Sequence, residues 1–333
     1  MAPPTTIIAS SRGQALLSPM PNSKGISDTA NGKTTPQSLH DTENQMLYAL
    51  VFELVAHNDG MLPANTGKLT HGLFFNIIRS IDRDVATALH NRKERQPFSL
   101  SPLHHPRMKI GRPYRVKAGY TFEMRVALLN DSLFDSVIAF FTNKYTLPML
   151  YVGEIDLEIT AIHTTGGSHP RAGYTTHEAL RNRWDDATPL PTDVTLYFRT
   201  PTAISRGKDP RTKRKRYWLF PEPLPVWHNL RRQWGYTGGD DPGKAFDAWI
   251  EKHIQLVSHR LQTHILDFDR FQQRGFTGSA TFRCVGDPDR ADHAFWLALC
   301  AFSFYAGIGY KTSAGFGQVA PKIHRPKWAD EEN

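Results

Sequence analysis

The sequence predicts an α+β fold, and three observations predict it. Between residues 46 and 163 the apolar segments follow the order β-α-β-β-α-β. From residue 194 the same alternation restarts with longer insertions. The 333 residues are enough for two domains of ordinary size. That order is the one of a ferredoxin-like (RRM-like, βαββαβ) domain, so two such domains in tandem are expected.

Residues 1–45 are dominated by Ser, Thr, Pro and Gly without periodicity, and a disordered extension is expected there. The first domain is placed at 46–165. It opens on an apolar strand from Met46 to His57, rich in β-branched and aromatic residues. From Gly67, Leu69, Leu73, Ile77, Ile81, Val85 and Leu89 fall four apart with Phe74 and Ile78 beside them, which predicts an amphipathic helix. Asp82 and Asp84 cap a break, giving a separate short helix over Asp82–His90. Strands follow at 97–103 and 120–129, a helix at 131–145 and one strand over 149–163. Residues 166–190 read as a linker. The second domain, 191–323, has a strand at 194–204, a helix around VWHNLRRQW, another within 244–261, a strand at 276–286 and an apolar helix at 292–307. A Gly-rich segment leading into a final strand closes it, with a tail at 324–333.

Net charge is +8 with 11% aromatic residues, which favours nucleic acid over a membrane as partner. No apolar run reaches the ~18 residues needed to span a bilayer. Cys284 and Cys300 are too few for a disulfide scaffold and too far apart for a metal pair, and a reducing cytoplasm is the expected compartment. No His or Cys cluster has zinc-ligand spacing, so neither metal nor cofactor is expected.

Three features carry chemistry. The segment Gly307-Ile-Gly-Tyr-Lys-Thr-Ser-Ala-Gly-Phe-Gly317 sets Gly307, Gly309, Gly315 and Gly317 around Lys311, Thr312 and Ser313. It offers N–H donors, close backbone approach and one cation, as a phosphodiester would need; a plain Gly-rich turn stays open as the other reading. It is no P-loop, because Tyr310 separates Gly309 from Lys311. It is no dinucleotide fingerprint, because Thr312 stands where the third Gly belongs. The run Arg206–Arg216, with Lys213, Arg214, Lys215 and Arg216 followed by Tyr217 and Trp218, is either a solvated hairpin tip or a phosphate contact. Of the fifteen histidines, His90 ends the short helix beside Asn91, Arg92, Lys93 and Arg95. It is either a surface residue or a group titrating near neutrality, suited to acid–base work. His71 lies at the edge of the helix's apolar arc and reads as half-buried. His104 and His105 follow a strand end.

Several segments together resemble the CRISPR-associated endoribonucleases of the RAMP superfamily that cut precursor crRNA within its repeats, the Cas6 family. They are GKLTHGLFFNII, ATALH, SLSPL, FRTPTAI, GFTGSATF and GIGYKTSAGFGQV, in family order over residues 46–323. The resemblance implies two ferredoxin-like domains with RNA across the cleft. It implies metal-independent attack of a 2′-hydroxyl on the adjacent phosphate, leaving 2′,3′-cyclic phosphate and 5′-hydroxyl ends. It places the catalytic histidine at His90, with His71 second, and RNA contacts at Lys311 and its glycines, with Lys93 or Arg95 matching a family lysine. Phe75 stands where some members carry a tyrosine. Implied partners are CRISPR repeat RNA, other effector-complex subunits and a second copy of the chain. The alternative is a non-catalytic RAMP subunit that only binds crRNA.

Overall fold

The computed structural model describes residues 6–8, 45–92, 95–142, 149–268 and 271–324. In chain order, the first half contains β1 (Thr6–Ile8), β2 (Met46–Ala56), β3 (Gly60–Leu62), α1 (Gly67–Ile81), α2 (Arg83–Asn91), β4 (Phe98–Leu100), β5 (Tyr114–Val116), β6 (Thr121–Leu128), α3 (Asp131–Thr142), β7 (Leu150–Val152) and β8 (Ile155–His163). Strand β9 (Gly173–Thr176) and helix α4 (His177–Asn182) follow. The second half contains β10 (Asp193–Thr202), β11 (Ile204–Lys208), β12 (Lys215–Trp218), α5 (Pro223–Tyr236), α6 (Lys244–His253), β13 (Ile254–Asp267), β14 (Gln272–Cys284), α7 (Arg290–Ala306), a 3-10 turn (Thr312–Ala314) and β15 (Val319–Ile323).

Both halves carry the ferredoxin-like sheet. In the first the strand order is β8-β2-β6-β4, and in the second β15-β10-β14-β13, all antiparallel. The helices cover one face of each sheet. In the first half Phe74 and Ile78 of α1 and Phe141 of α3 bury against Phe52, Phe98 and Phe122. In the second, Trp227 and Trp234 of α5 and Trp296 of α7 bury against Phe198, Phe276 and Phe282. Each such ring contributes roughly 1.5–3 kcal/mol when removed from water.

Four sequence expectations are corrected. Thr6–Ile8 pairs with Ala161–His163, so the expected disorder of 1–45 does not cover these three residues. The single strand over 149–163 is a hairpin, turned at Gly153, which takes φ +65°. The linker 166–190 carries β9, which pairs with β2, and α4, whose N-terminus is capped by Thr176. The helix within 244–261 stops at His253. Its continuation is β13, whose polar outer positions hide the strand until β14 pairs along it.

The halves meet where the back of the first sheet packs on α7. Leu47, Ala49 and Ala127 join the core of the second half. Helix α7 has no basic residue in its last turn. Arg125 of β6 supplies the cation from across the seam. Its guanidinium donates to Phe304 O (2.6 Å), to Arg171 O (2.9 Å) and to Gln318 Oε1 (3.0 Å). Ser99 donates to Tyr305 O and Gln233 to Ala306 O. Three successive carbonyls at the negative end of α7 are thereby satisfied by side chains from outside the helix. The Gly-rich loop leaves α7 directly from this seam.

Candidate active site

Helix α1 starts against that loop. A Cβ on Gly67 would lie 2.3 Å from Ala314 O and one on Gly315 would lie 2.8 Å from Gly67 Cα, so two glycines let the 3-10 turn rest on the helix's first turn. Asn65 Oδ1 accepts from Gly67 N (3.1 Å), while Thr66 Oγ1 accepts from Leu103 N. One turn further along, His71 Nδ1 lies 2.7 Å from Ser313 O. A carbonyl can only accept, so Nδ1 carries the proton and Nε2 keeps a free lone pair. Burial pushes the His71 pKa below 6.5. The Ser313 bond opposes that shift, and Lys311 and His90 add to it.

Asp82 Oδ1 caps α2 by accepting from Asp84 N and Val85 N, as its sequence position suggests. Exposed His90 sits in the last turn of α2. The two histidines flank one ring: Phe75 is 4.8 Å from His71 and 6.2 Å from His90, centroid to centroid. The structure therefore brings together the two histidines singled out in the sequence.

Lys311 takes a left-handed backbone conformation (φ +62°) and Gly307, Gly309, Gly315 and Gly317 also have positive φ. A Cβ on Gly309 would meet Ala203 O at 2.5 Å and one on Gly317 would meet Ile308 O at 2.1 Å. The close approaches that require these glycines are to the chain's own backbone. These approaches account for the glycines within the fold itself. The Lys311 side chain is held by rings: Nζ lies 3.8 Å from the centroid of Phe268 and 4.4 Å from that of Phe271. Burial brings its pKa from 10.5 to about 8, with Lys215 and Lys68 adding repulsion. Thr312 is half-buried beside it.

The remaining cations divide. Arg95 donates to Asn229 O (3.1 Å) and Gln233 Oε1 (3.0 Å), so its guanidinium ties the segment after α2 to α5, on the wall of a groove that Lys311 also lines. Lys93 lies outside the described residues. Lys213, Arg214, Lys215 and Arg216 project from the exposed β11–β12 hairpin. Lys215 Nζ donates to Tyr310 OH (3.2 Å). Two open grooves run from Tyr310. One is lined by Arg232, Tyr236 and the loop residues Lys311–Ser313, the other by Arg214, Lys215, Tyr217, Phe271 and Arg274. Among the described residues no group of three or more His, Cys, Asp or Glu side chains is placed to hold a metal ion.

Sequence reading missed Lys68, Ser313 O and the two rings on Lys311. Lys68 stood in plain view in the segment GKLTH. Phe268 and Phe271 form the tip of the β13–β14 hairpin, which was invisible while β13 read as helix.

Comparison with known proteins gives one family. A model described as the CRISPR Cas6 N-terminal domain matches residues 46–182, and one described as CRISPR-associated endoribonuclease Cas6 matches 196–319. A CRISPR-associated endoribonuclease Cas6 of Mycobacterium tuberculosis (strain ATCC 25618 / H37Rv) is 28% identical over 142 residues, 42% of this chain and 42% of that protein. One from Streptococcus thermophilus is 27% identical over 131 residues, 38% of this chain and 50% of the relative. The aligned region thus spans half or less of each relative's length. Among solved structures, a Cas6 product complex aligns with a TM-score of 0.69 at 27% identity, covering 83% of this chain and 100% of the other. Thermus thermophilus Cas6 aligns at 0.62 and 26%, covering 84% and 99%.

Proposed function

The chain belongs to the Cas6 family, and we propose that it cuts CRISPR repeat RNA in precursor crRNA by 2′-hydroxyl attack, with His71 and His90 as the proton-transfer pair. The observation that carries this reading is the convergence of α1, α2 and the Gly-rich loop. There His71, whose pKa burial lowers, and His90 flank Phe75, and half-buried Lys311 acts on His71 through its charge.

His71 Nε2 is suited to take the proton of the 2′-hydroxyl, since its other nitrogen is committed to Ser313 O. The 2′-oxygen bonds to phosphorus, the bond to the 5′-oxygen breaks, and His90 returns a proton to that leaving oxygen. The products are a 2′,3′-cyclic phosphate and a 5′-hydroxyl. Charge building on the phosphoryl oxygens falls to Lys311, whose partly dry setting strengthens the attraction. Basic side chains on the β11–β12 hairpin hold the phosphate backbone and set affinity rather than sequence choice. The chemistry needs a ribose, so a substrate with one 2′-deoxy nucleotide at the cut is inert.

The test is incubation of the protein in EDTA with the repeat RNA of its own locus and with the singly deoxy-substituted copy. One fixed cut that survives EDTA and vanishes on the deoxy substrate supports the reading. Replacing either His71 or His90 by Ala then lowers cleavage ~10²-fold or more at similar RNA affinity. Tight binding without a cut overturns it and assigns a crRNA-binding subunit instead.

A further inference from the structure

A second basic run lies in the first half, at residues 105–117. It holds Arg107, Lys109, Arg112, Arg115 and Lys117 and no acidic residue. Lys117 is paired with Asp59 (2.6 Å), and Arg115 also acts on that carboxylate. Arg107, Lys109 and Arg112 are exposed, and none forms an ion pair or side-chain hydrogen bond with another described residue. Three rings stand beside them. His105 stacks on Tyr120 (5.5 Å between centroids, 9° between planes) and accepts at Nδ1 from Tyr114 OH (2.9 Å). All three rings are half-buried, and cations beside partly accessible rings are what single-stranded RNA binds.

The position of this patch is informative. At Gly111 the loop touches the β13–β14 hairpin: a Cβ there would lie 3.6 Å from Ile265 O and 3.7 Å from Leu266 Cδ2. Three residues further on, ~10 Å along the strand, Phe268 carries Lys311 Nζ on its ring. The loop contacts β13, whereas the groove that runs to the β11–β12 hairpin is lined by Phe271 and the first residues of β14. The loop at Gly111 thus lies against β13 and the other groove against the start of β14, with Lys311 Nζ on the rings of Phe268 and Phe271 at the ends of the two strands.

We propose that the 105–114 loop is a second RNA-backbone site, which holds the strand on one side of the cut while the β11–β12 hairpin holds the other side. Arg107, Lys109 and Arg112 contact phosphates there, and Tyr114, Tyr120 and His105 offer a face to an unpaired base. This rests on the chain being an RNA-binding protein.

The experiment measures affinity against salt for the wild-type chain, for Arg107→Gln/Lys109→Gln/Arg112→Gln, and for Lys213→Gln/Arg214→Gln/Lys215→Gln/Arg216→Gln. The RNAs are the intact repeat and copies shortened from the 5′ or the 3′ end. On intact RNA the loop variant lowers the slope of log K against log salt by ~2, about 0.7 per lost single-strand contact. On RNA shortened at one end its deficit disappears while the hairpin variant's persists, and shortening the other end reverses the pattern. An unchanged slope in a variant that melts like the parent overturns the proposal. So does a deficit equal on every RNA, which is diffuse attraction rather than a site. Failure of the wild-type chain to bind any of these RNAs overturns the functional reading first, and this site with it.

Discussion

Gly67→Ala tests whether the Gly-rich loop orients His71. The added Cβ would sit 2.3 Å from Ala314 O, where ordinary contact begins at 3.4 Å. Gly67 is already helical and its neighbour is backbone, so the 3-10 turn must retreat by about 1 Å. If it retreats along the contact, the 2.7 Å bond between His71 and Ser313 O opens towards ~3.8 Å, outside hydrogen-bond range. Losing that bond costs about 1 kcal/mol, and the better helix propensity of Ala returns up to about 1 kcal/mol, so the variant folds. What it loses is the fixed tautomer and aim of the imidazole. A misplacement of ~1 Å costs ~10²-fold in rate, read as single-turnover cleavage of repeat RNA at saturating protein. Gly72→Ala is the matched control. Nothing lies within 4 Å of its Cβ position, so it raises stability by roughly 0.5–1 kcal/mol and cleaves within a few fold of the parent. A Gly67→Ala protein that cleaves at the parental rate would refute the proposed role of Ser313 in setting the histidine.

Three further outcomes are expected. The pH profile of cleavage has an acid limb below pH 6.5, because His71 must be neutral and burial lowers its pKa. The ratio of the Lys311→Arg rate to the parental rate rises as pH passes about 8, where Lys311 loses its proton and a guanidinium keeps its charge; the titration of the general acid cancels in that ratio. A ratio that does not change with pH would remove Lys311 from the site. Phe268→Leu exposes Lys311, so its rate relative to the parent rises over the same pH range, with little change in affinity at pH 7; a flat ratio would deny the rings any hold on the lysine. Arg125→Met leaves Phe304 O, Arg171 O and Gln318 Oε1 without their donor, each worth ~1–3 kcal/mol when buried. Its urea midpoint drops accordingly, and a midpoint within error of the parent would show that the seam does not need this strut.

How much was legible follows from what each element depends on. Helix α1, the break at Asp82 and helix α2 could be read because their apolar spacing and cap are local. Strand β2 could be read because it is apolar along most of its length, as a central strand must be. Strand β13 could not. Only Ile254 and Leu266 are buried along it, and its identity as a strand comes from β14, not from its own pattern. The site shows the same division. The two histidines and Lys311 stand in recognisable segments, but Ser313 contributes only a carbonyl, which no residue type encodes. The rings that hold Lys311 come from a hairpin tip some forty residues upstream. The glycines carry the lesson furthest. Their spacing marks a special backbone correctly, yet a sequence cannot say what approaches that backbone. The visitor at Gly67 and Gly315 is each other's segment, so the loop and the helix are one unit, and His71 is aimed by that packing before any RNA arrives.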